Sequence, residues 1–549
     1  MSAPHDRVAD YRRRVLAERD AAEAALADPV GVQESVLRAV LEFNADTAFG
    51  VEHGFKSIRT AAEFRAAVPI RDYDGLAPWI ERAAKGERGV LSADDPVVYF
   101  MSSGSTGDSK KVPITREYMR TGFFPSYYAA WAPFVEHYPS VVSDDASTLN
   151  LKHDPVSRTA TTASGRPHLG ASQVDFGAAF GEPLAAEPGS RAPWATLPVP
   201  VGDTDYLEKA YLRLRLAAEH DVRCVIGINP AVVAALPYQL ELWWPRLVKE
   251  LHDGTVGGVR HGDRAPERAA LLERLAGHFG TLRPAHLWPR FQVLFCWTTG
   301  LATLYLPRLA ESFGPGVTAL PAPVAASEGF VAVALDRHGA ACSPSVTAAY
   351  HEFADADRPL TADAPTCSYA DLEVGGEYHV VLTHVGGLYR YALGDVVRVV
   401  DRKHGVPRVL YAGRNTVSDL AGERLRESHV VRALGDALAA GGLHARNATY
   451  RGGDGRYEFA IAFDDPVDAR ERAALTSSVD TSLRALSRGY DAARRAGELA
   501  DPVLHVLDGN AFLREWHARV ESGIRPPQVK DRVFQRDEGA WQRLLGGLP

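Results

Sequence analysis

The residues best suited to nucleotide chemistry lie in the run 388–397, Leu-Tyr-Arg-Tyr-Ala-Leu-Gly-Asp-Val-Val. Two aromatic residues and an arginine come before Gly394-Asp395, which we expect to form a turn ahead of the valine-rich run 396–400. An acidic side chain at such a turn can accept hydrogen bonds from both hydroxyls of a ribose. Asp395 is therefore a candidate ribose ligand, although this stretch alone is not specific.

A second candidate site follows the apolar run 97–101, which predicts a buried strand. Small residues come next: Ser102, Ser103, Gly104, Ser105 and Thr106, with Lys110 and Lys111 close behind. Glycine permits close backbone approach, and successive N–H groups with hydroxyls can line an anion site. The segment is not a Walker loop, because counting from Gly104 puts Ser109 where the second glycine belongs. It predicts a phosphate-binding loop, and an exposed polar loop is the alternative. Together with Asp395 it indicates an ATP site.

Glu328 is a candidate metal ligand, because it stands alone among small and apolar residues in the run 324–329. A carboxylate in apolar surroundings is costly unless it is paired or bound to a metal ion. Mg²⁺ typically uses one or two carboxylates together with substrate phosphates. The alternative is an exposed glutamate at the end of a strand.

Further short motifs are spread along most of the chain: 44–47 (Asn-Ala-Asp-Thr), 68–73 (Val-Pro-Ile-Arg-Asp-Tyr), 227–230 (Gly-Ile-Asn-Pro), 297–300 (Trp-Thr-Thr-Gly), 378–400 and 528–532 (Gln-Val-Lys-Asp-Arg). With the three segments above, this combination resembles the adenylate-forming enzymes. More closely, it resembles the auxin-responsive acyl-acid amido synthetases of the Gretchen Hagen family, as a bacterial member. The sequence departs from that family at Val324, where a tyrosine that stacks on adenine is usual, so the adenine platform is open; Trp297 is one substitute.

The resemblance implies an α/β fold with a large N-terminal adenylate-forming domain, of mixed sheets and helices, and a smaller mobile α+β C-terminal domain. It implies that Ser327, Tyr389 and Arg414 join the ATP site and that Lys530 and Glu328 are catalytic. Lys530 would bring positive charge to the reacting phosphorus for adenylation and withdraw for acyl transfer. The acyl pocket is expected near five residues: Tyr127, Trp131, Leu169, Asn229 and Thr299.

Composition agrees with a large enzyme that acts on small molecules. The chain has 549 residues, too many for one compact core, with 46% hydrophobic and 24% charged residues. A formal net charge of −8 argues against general binding to nucleic acid or to an anionic membrane. Four scattered cysteines and a charged N-terminus without an apolar signal core predict a cytoplasmic protein with reduced thiols.

Alternating helical and extended patterns predict α/β architecture. The predicted strand 408–411 ends in the small, flexible turn 412–415, and the residues 419–425 that follow resemble the start of the family's C-terminal domain, so a boundary is expected at 413/414. We expect domains 1–413 and 414–549. Helices are predicted over 6–27, 203–216, 230–251 and 469–486, and a long loop is predicted over 177–202. Strands are predicted over 377–382, 408–411, 445–451, 457–463 and 503–507. The runs 224–240 and 291–307 are each too short to span a membrane and predict a buried strand, a turn and a helix.

Three functional hypotheses remain at this point. The favoured one is an ATP- and Mg²⁺-dependent ligase that turns a carboxylic acid into acyl-AMP and passes the acyl group to an amine or amino acid, forming an amide. The second is an acyl-CoA ligase that shares the first half-reaction. The third is a non-catalytic nucleotide- or acyl-binding protein, which the presence of Glu328, Asp395, Arg414 and Lys530 disfavours. No nucleic acid or membrane partner is expected, and the sequence does not identify the acid, the amine or the oligomeric state.

Overall fold

A computed structural model describes residues 4–103, 109–152, 159–182, 188–337 and 341–546. Within these ranges the α-helices are α1 (Pro4–Ala25), α2 (Pro29–Phe43), α3 (Ala48–Glu52), α4 (Ala61–Ala67), α5 (Tyr73–Ala84), α6 (Arg116–Tyr118), α7 (Phe124–Ala129), α8 (Ala132–His137), α9 (Pro139–Val142), α10 (Phe176–Phe180), α11 (Tyr206–Ala217), α12 (Pro230–Asp253), α13 (Pro266–Phe279), α14 (Pro284–Leu287), α15 (Ala302–Phe313), α16 (Glu427–Gly441), α17 (Ala469–Leu486), α18 (Arg488–Ala496), α19 (Ala511–Glu521) and α20 (Glu538–Leu544).

The strands are β1 (Val98–Ser103), β2 (Ser109–Ile114), β3 (Thr148–Asn150), β4 (Ala160–Thr161), β5 (Pro167–Leu169), β6 (Cys224–Ile226), β7 (Thr255–Val256), β8 (Val259–Arg260), β9 (Val293–Cys296), β10 (Thr318–Pro321), β11 (Val324–Ala326), β12 (Gly329–Val333), β13 (Ser343–Pro344), β14 (Tyr350–Asp355), β15 (Glu377–His384), β16 (Leu388–Lys403), β17 (Val406–Arg414), β18 (Val417–Ser418), β19 (Leu425–Arg426), β20 (Ala445–Gly453), β21 (Arg456–Phe463) and β22 (Val503–Asp508). The predicted α/β class is confirmed.

The chain forms two compact units from interleaved segments. Unit 1 comprises residues 1–143, 153–187 and 321–415, and unit 2 comprises 144–152, 188–320 and 416–549. The predicted boundary at 413/414 lies next to the start of the last segment of unit 2. The division into domains 1–413 and 414–549 stays a prediction.

Unit 1 contains three sheets. One has the order β2-β1-β5-β4, with β1 parallel to β5. The second is the antiparallel β11-β12-β13, and the third is an antiparallel meander, β14-β15-β16-β17. The strand predicted from 97–101 is β1, whose residues Val98, Tyr99 and Phe100 are buried as expected for an apolar run.

The turn predicted at Gly394-Asp395 is wrong. β16 continues through both residues because β15 pairs with one side of it and β17 with the other. The pairing with β15 passes from Ala392–Val381 to Val396–His379, so β16 has two extra residues here and bulges. Gly394 has φ +81°, a left-handed conformation that favours glycine. A bulge of this kind re-aims a neighbouring side chain and is common beside active sites.

Unit 2 contains the sheet β10-β9-β6-β3, the sheet β20-β21-β22, and the pairs β18-β19 and β7-β8. The run 224–240 forms β6, a turn and α12, and the run 291–307 forms β9, a turn and α15, as predicted. Helix α17 has the predicted bounds, and the three C-terminal strands match within two residues at each end. The predicted loop 177–202 overlaps α10 at its start, and 183–187 lie outside the described residues.

The cysteines agree with the expectation of reduced thiols, since none of the four is in a disulfide. Cys224, Cys296 and Cys342 are buried, as expected, and Cys367 is partly buried. Among the described residues, no helix combines the length and apolar character needed to cross a membrane.

Candidate functional site

Glu328 lies in the tight connection between β11 and β12 in unit 1. It is 6% exposed, so the alternative of an exposed glutamate does not hold. The Tyr391 hydroxyl, from β16, donates a hydrogen bond to Oε1 of Glu328 at 3.1 Å. Burial, together with the charge of Glu328, raises the pKa of Tyr391, which therefore stays protonated and can donate. The carboxylate is thus held in a defined orientation by a buried phenol.

The backbone at Glu328 is fixed by His384, a residue that the sequence interpretation did not single out. His384 Nδ1 lies 3.0 Å from the N–H of Gly386 and accepts from it, so the ring proton is on Nε2. Nε2 then donates to the Glu328 carbonyl oxygen at 3.0 Å. Burial lowers the pKa of His384 to about 3, so the imidazole is neutral near pH 7. This arrangement holds the Glu328 turn in place without adding a charge.

Tyr118 completes the surroundings of Glu328. Its ring stacks on His384 with centroids 3.9 Å apart, and the side chain is 1% exposed. Burial and then the charge of Glu328 raise its pKa. Its hydroxyl has no hydrogen-bond partner among the described residues. Tyr118 is a second residue that the sequence did not reveal, since its proximity depends on packing between distant segments.

The geometry at Glu328 fits a magnesium ion that is shared with a nucleotide. A carboxylate has about four acceptor positions, and Tyr391 occupies one. In the described part of the chain, no group of three or more His, Cys, Asp or Glu side chains could hold an ion alone. Such an ion would therefore need phosphate oxygens as well as Glu328, which is the usual arrangement for Mg²⁺.

Asp395 lies at the bulge of β16, opposite Arg414 at the end of β17. Arg414 Nη1 is 2.9 Å from Asp395 Oδ1; the Asp395 side chain is 10% exposed and that of Arg414 is 49% exposed. A largely exposed ion partner adds little stability. The pair is better understood as presenting one anionic and one cationic group side by side, which suits the hydroxyls and phosphates of a nucleotide.

Tyr389 and Arg390, which precede Tyr391 on β16, make their side-chain contacts in the core. Tyr389 is fully buried, stacks on Phe49 with centroids 4.5 Å apart, and donates to the Leu91 carbonyl. Arg390 binds Glu352 through Nε at 2.9 Å and Nη2 at 3.0 Å. These contacts anchor the strand that carries Tyr391 and Asp395. The ATP-binding role of Tyr389 stays a prediction.

The predicted phosphate loop joins β1 and β2, whose last pair is Ser103 with Ser109. Gly104, Ser105 and Thr106 lie outside the described residues, as do the side chains of Ser102 and Ser103. After the loop, Lys111 Nζ lies 2.5 Å from Glu81, and Lys110 Nζ lies 5.4 Å from the centre of the Tyr73 ring. Ser327 adjoins Glu328 and is partly buried. The hairpin agrees with the predicted strand, and phosphate binding stays a prediction.

Lys530 lies in unit 2, in the segment after α19. Its Nζ is 5.0 Å from the centre of the Trp297 ring. The next residue, Asp531, accepts hydrogen bonds from Tyr305 at 2.7 Å and from Asn447 at 2.8 Å. Trp297, the suggested substitute for an adenine platform, is therefore a neighbour of the predicted catalytic lysine. Val324 is buried in β11 and pairs with Ala332.

The five predicted pocket residues have different surroundings. Tyr127 and Trp131 belong to an aromatic cluster in unit 1, with ring centroids 6.2 Å apart. Leu169 lies on β5 opposite Phe100. In unit 2, Asn229 caps α12, and Thr299 lies in the turn between β9 and α15. Tyr127 and Trp131 are therefore neighbours, and the pocket stays a prediction.

Three models of one family match this chain in order. They are the GH3 family N-terminal domain over residues 19–317, the central domain over 343–414 and the C-terminal domain over 443–538. Among curated relatives, the rice (Oryza sativa subsp. japonica) "Probable indole-3-acetic acid-amido synthetase GH3.12" is 29% identical over 71% of this chain and 70% of its own length. The Arabidopsis thaliana "Indole-3-acetic acid-amido synthetase GH3.3" is 24% identical over 74% of this chain and 71% of its own.

Solved structures agree on the fold. A GH3.15 acyl acid amido synthetase superposes with a TM-score of 0.78 at 21% identity, over 97% of this chain and 96% of that one. A 2-hydroxyisobutyryl-CoA ligase in its postadenylation state gives 0.51 at 12% identity, over 94% and 92%. The fold is therefore that of adenylate-forming enzymes, and the family resemblance found in the motifs is confirmed. The chain belongs to the GH3 family of acyl acid amido synthetases, which are amide-forming ligases.

Proposed function

We propose that this chain activates a carboxylic acid with Mg²⁺–ATP and passes the acyl group to an amine, in the simplest case an amino acid. In the first step a carboxylate oxygen bonds to the α-phosphorus of ATP and pyrophosphate leaves. In the second, the amine nitrogen bonds to the acyl carbon, AMP leaves and the nitrogen loses a proton. Activation is needed because a carboxylate is anionic and its oxygen is a poor leaving group.

The observation that best supports this proposal is the buried Glu328 carboxylate, oriented by Tyr391 through its side chain and by His384 through its backbone. Glu328 would hold Mg²⁺ together with phosphate oxygens, and the bound ion would offset phosphate charge as pyrophosphate leaves. A buried carboxylate with a defined orientation suits this role, because preorganised groups need not reorganise during the reaction.

Other residues take roles that depend on their charge. Asp395 would accept hydrogen bonds from the ribose hydroxyls, while Arg414, 2.9 Å away, would face phosphate. Residues Ser102 to Thr106 would supply phosphate donors with Ser327 nearby. Lys530 would place positive charge at the α-phosphorus during adenylation, and rotation of residues 414–549 would withdraw it for transfer.

The acceptor separates this proposal from an acyl-CoA ligase of the same fold. The amido synthetase reading is supported by family models that match the N-terminal, central and C-terminal parts of the chain. We also propose that the chain is a bacterial member, in keeping with its 23–29% identity to plant relatives. We further propose that it works in a reducing cytoplasm, in keeping with four cysteines that form no disulfide. Genomic context and fractionation test these two points.

The decisive experiment is ATP–pyrophosphate exchange across a panel of carboxylic acids. The panel includes indole-3-acetic acid, which stands in the name of a rice relative, and 2,4-DB, with which an acyl acid amido synthetase of matching fold is complexed. Exchange that requires both an acid and Mg²⁺ is expected, and Glu328→Gln should raise the Mg²⁺ concentration needed. Glu373→Gln, at an exposed glutamate of the same unit, is the control. No exchange with any acid in a broad panel contradicts the proposal.

A second measurement identifies the acceptor. Amino acids, other small amines and CoA are supplied separately with the activated acid, and the products are identified by mass spectrometry. Amide products support the proposal. Thioester with CoA and no amide with any amine would favour the acyl-CoA ligase.

A further inference from the structure

The backbone just before Lys530 is held by Asn229. The Nδ2 group of Asn229 donates to the carbonyl of Val529 at 2.9 Å and lies 3.4 Å from that of Pro527. The amide oxygen of the same side chain accepts from the Ala231 N–H at 3.1 Å and so caps the start of α12. Asn229 is 4% exposed. Both ends of one buried amide are therefore used, one for its own helix and one for the lysine segment.

The residue after Lys530 is held just as closely. Tyr305, from α15, donates to Asp531 Oδ2 at 2.7 Å, and Asn447, from β20, donates to Oδ1 at 2.8 Å. Burial raises the pKa of Tyr305, and the charge of Asp531 raises it further, so the phenol remains a donor. Both carboxylate oxygens have specific donors, and this fixes the orientation of the Asp531 side chain.

We propose that Asn229, Tyr305 and Asp531 are positioning residues that together form a latch for Lys530, holding it ready for adenylation and opening before acyl transfer. The inference rests on the proposed function, since it assumes that Lys530 serves the first half-reaction. With Val529 held through its carbonyl and Asp531 through its carboxylate, the intervening lysine has little backbone freedom. Its side chain is exposed and its Nζ lies against the Trp297 ring.

The arrangement of the partners along the chain favours a latch over a fixed contact. Asn229 and Tyr305 precede the predicted boundary at 414, whereas Asn447, Val529 and Asp531 follow it. Rotation of residues 414–549 would preserve the Asn447–Asp531 bond and break the bonds from Asn229 and Tyr305. Apolar contacts also cross this boundary: Ala231, Val232, Ala235, Trp516, Val520 and Val529 form one buried cluster, and Leu301 belongs to the core cluster of the C-terminal segment. These contacts would have to separate together with the latch.

The test variant is Tyr305→Phe, which removes one hydroxyl and keeps the ring. We expect the rate of pyrophosphate exchange to fall tenfold or more, the scale of one hydrogen bond to a charged group. The KM for ATP and the rate of amide formation from chemically made acyl-AMP should stay near wild type. A second variant, Asn229→Asp, keeps the oxygen that caps α12 and loses the amide donor to Val529; it should also slow pyrophosphate exchange.

The matched control is Tyr490→Phe. The Tyr490 hydroxyl donates to Asp480, a carboxylate of the same unit, at 2.7 Å. Loss of this hydroxyl should lower the stability of the protein without slowing adenylation more than acyl transfer. Equal loss of both half-reactions in Tyr305→Phe, as for a merely structural bond, overturns the latch.

A measurement that needs no turnover separates the latch from the proposed function. Hydrogen–deuterium exchange of the full-length protein should show faster exchange at residues 528–532 in Tyr305→Phe than in wild type, and no change there in Tyr490→Phe. Unchanged exchange at 528–532 overturns the latch, whether or not the wild type is active. If hydrogen–deuterium exchange at 528–532 is faster in Tyr305→Phe but the wild type activates no acid, the anchoring of this segment stands and the proposed function is contradicted.

Discussion

Glu328 and Asp395 are carboxylates of the same unit with different neighbours, and the neighbours decide what each can do. Glu328 is buried beside two phenols and a neutral imidazole, and within the described part of the chain it forms no ion pair. Asp395 faces Arg414 at 2.9 Å, where solvent reaches the guanidinium. An uncompensated buried anion attracts a metal ion, whereas an anion beside a half-exposed cation suits hydroxyls next to phosphates.

The first prediction concerns Asp395. Asp395→Ala should weaken ATP binding at least tenfold, because it removes up to two hydrogen bonds to a charged acceptor, each worth roughly 1.5–3 kcal/mol. Calorimetric titration with ATP measures this. Asp401→Ala is the matched control, since Asp401 lies on the same strand and pairs with Arg408 of β17 at 2.5 Å. ATP affinity that is the same in Asp395→Ala and wild type removes Asp395 from the nucleotide site.

The second prediction concerns the buried His351 of β14. Burial lowers its pKa to about 4, while an unfolded histidine titrates near 6.5. The unfolded chain therefore binds the proton more readily, and stability that is fully present above pH 6.5 is lost as pH falls toward 4. The loss from this residue is at most about 3–4 kcal/mol, because the pKa falls from 6.5 to about 4 and each pH unit is worth about 1.4 kcal/mol.

Urea unfolding at several pH values between 6.5 and 4.5 tests this. His351→Gln keeps a side-chain N–H that can donate to the Phe330 carbonyl, 2.9 Å from His351 Nε2, and removes the titration. Its free energy of unfolding should fall less steeply with decreasing pH than that of wild type. The exposed His278→Gln should follow the wild-type curve. A curve for His351→Gln parallel to wild type would show that another group causes the acid sensitivity.

At the scale of elements, β16 does most to assemble the unit 1 part of the site. It carries Arg390 into the core, Tyr391 to Glu328 and Asp395 to Arg414. The bulge lies between Ala392 and Val396, after Arg390 and Tyr391, so among these residues it bears on Asp395. Gly394, the residue before Asp395, has a left-handed φ of +81° within the bulge.

The third prediction concerns that glycine. Gly394→Ala should destabilise the protein by about 1–2 kcal/mol through backbone strain, although an added Cβ would meet its nearest atom only at 3.7 Å. It should also weaken ATP binding, because relief of the strain moves Asp395. Gly405→Ala is matched to it: φ is +83°, nothing lies within 4 Å, and the residue sits in the hairpin between β16 and β17. Thermal unfolding and ATP titration of both variants measure the two effects. Equal ATP affinity in Gly394→Ala and Gly405→Ala would show that the bulge does not position Asp395 for ATP binding.

Elements were predictable from sequence where the local pattern was long and unambiguous. Helix α17 and the C-terminal strands follow from their apolar periodicity, which needs no distant partner. The bulge in β16 was not predictable, because Gly-Asp is equally typical of a turn. What decided it was pairing on both sides with β15 and β17, which is a property of the sheet.

In the candidate site, too, some features were predictable from the local sequence and others depended on tertiary packing. Glu328 was noticeable as a lone acid among apolar residues, and its burial confirms the physical basis of that choice. Tyr118 and His384 were missed because their proximity to Glu328 joins residues more than fifty positions apart. Asn229 was noticed for a pocket, yet its side chain is bonded to α12 and to Val529. Residue type indicated chemistry, and tertiary packing decided the partner.

For the whole molecule, the interleaving of segments matters most. Unit 2 joins residues 188–320 to residues 416–549 in one compact body. The joining contacts include the bonds from Asn229 and Tyr305 to the lysine segment and the pairing of Arg308 with Asp464 at 3.3 Å. If residues 414–549 rotate between half-reactions, these are bonds that must break and re-form. Alternation therefore requires that the free energy of these polar contacts be small enough for them to break and re-form between half-reactions.

The last prediction tests alternation through Lys530 itself. Lys530→Ala should slow acyl-AMP formation by about 10²-fold or more, the scale for removing one preorganised charge-stabilising group. ATP affinity should change little, because binding relies on residues other than this lysine. Amide formation from chemically made acyl-AMP should survive, since by then the lysine has withdrawn. Single-turnover measurements of each half-reaction separate these effects.

Lys249→Ala is the control for losing a lysine from the same unit, because Lys249 is exposed and pairs with its helical neighbour Asp253 at 2.6 Å. Both half-reactions should then stay at wild-type rates. Equal slowing of both half-reactions in Lys530→Ala would mean that the lysine supports structure, or that residues 414–549 do not alternate. Unchanged adenylation would remove Lys530 from the active site, and the latch would then hold a residue without a catalytic task.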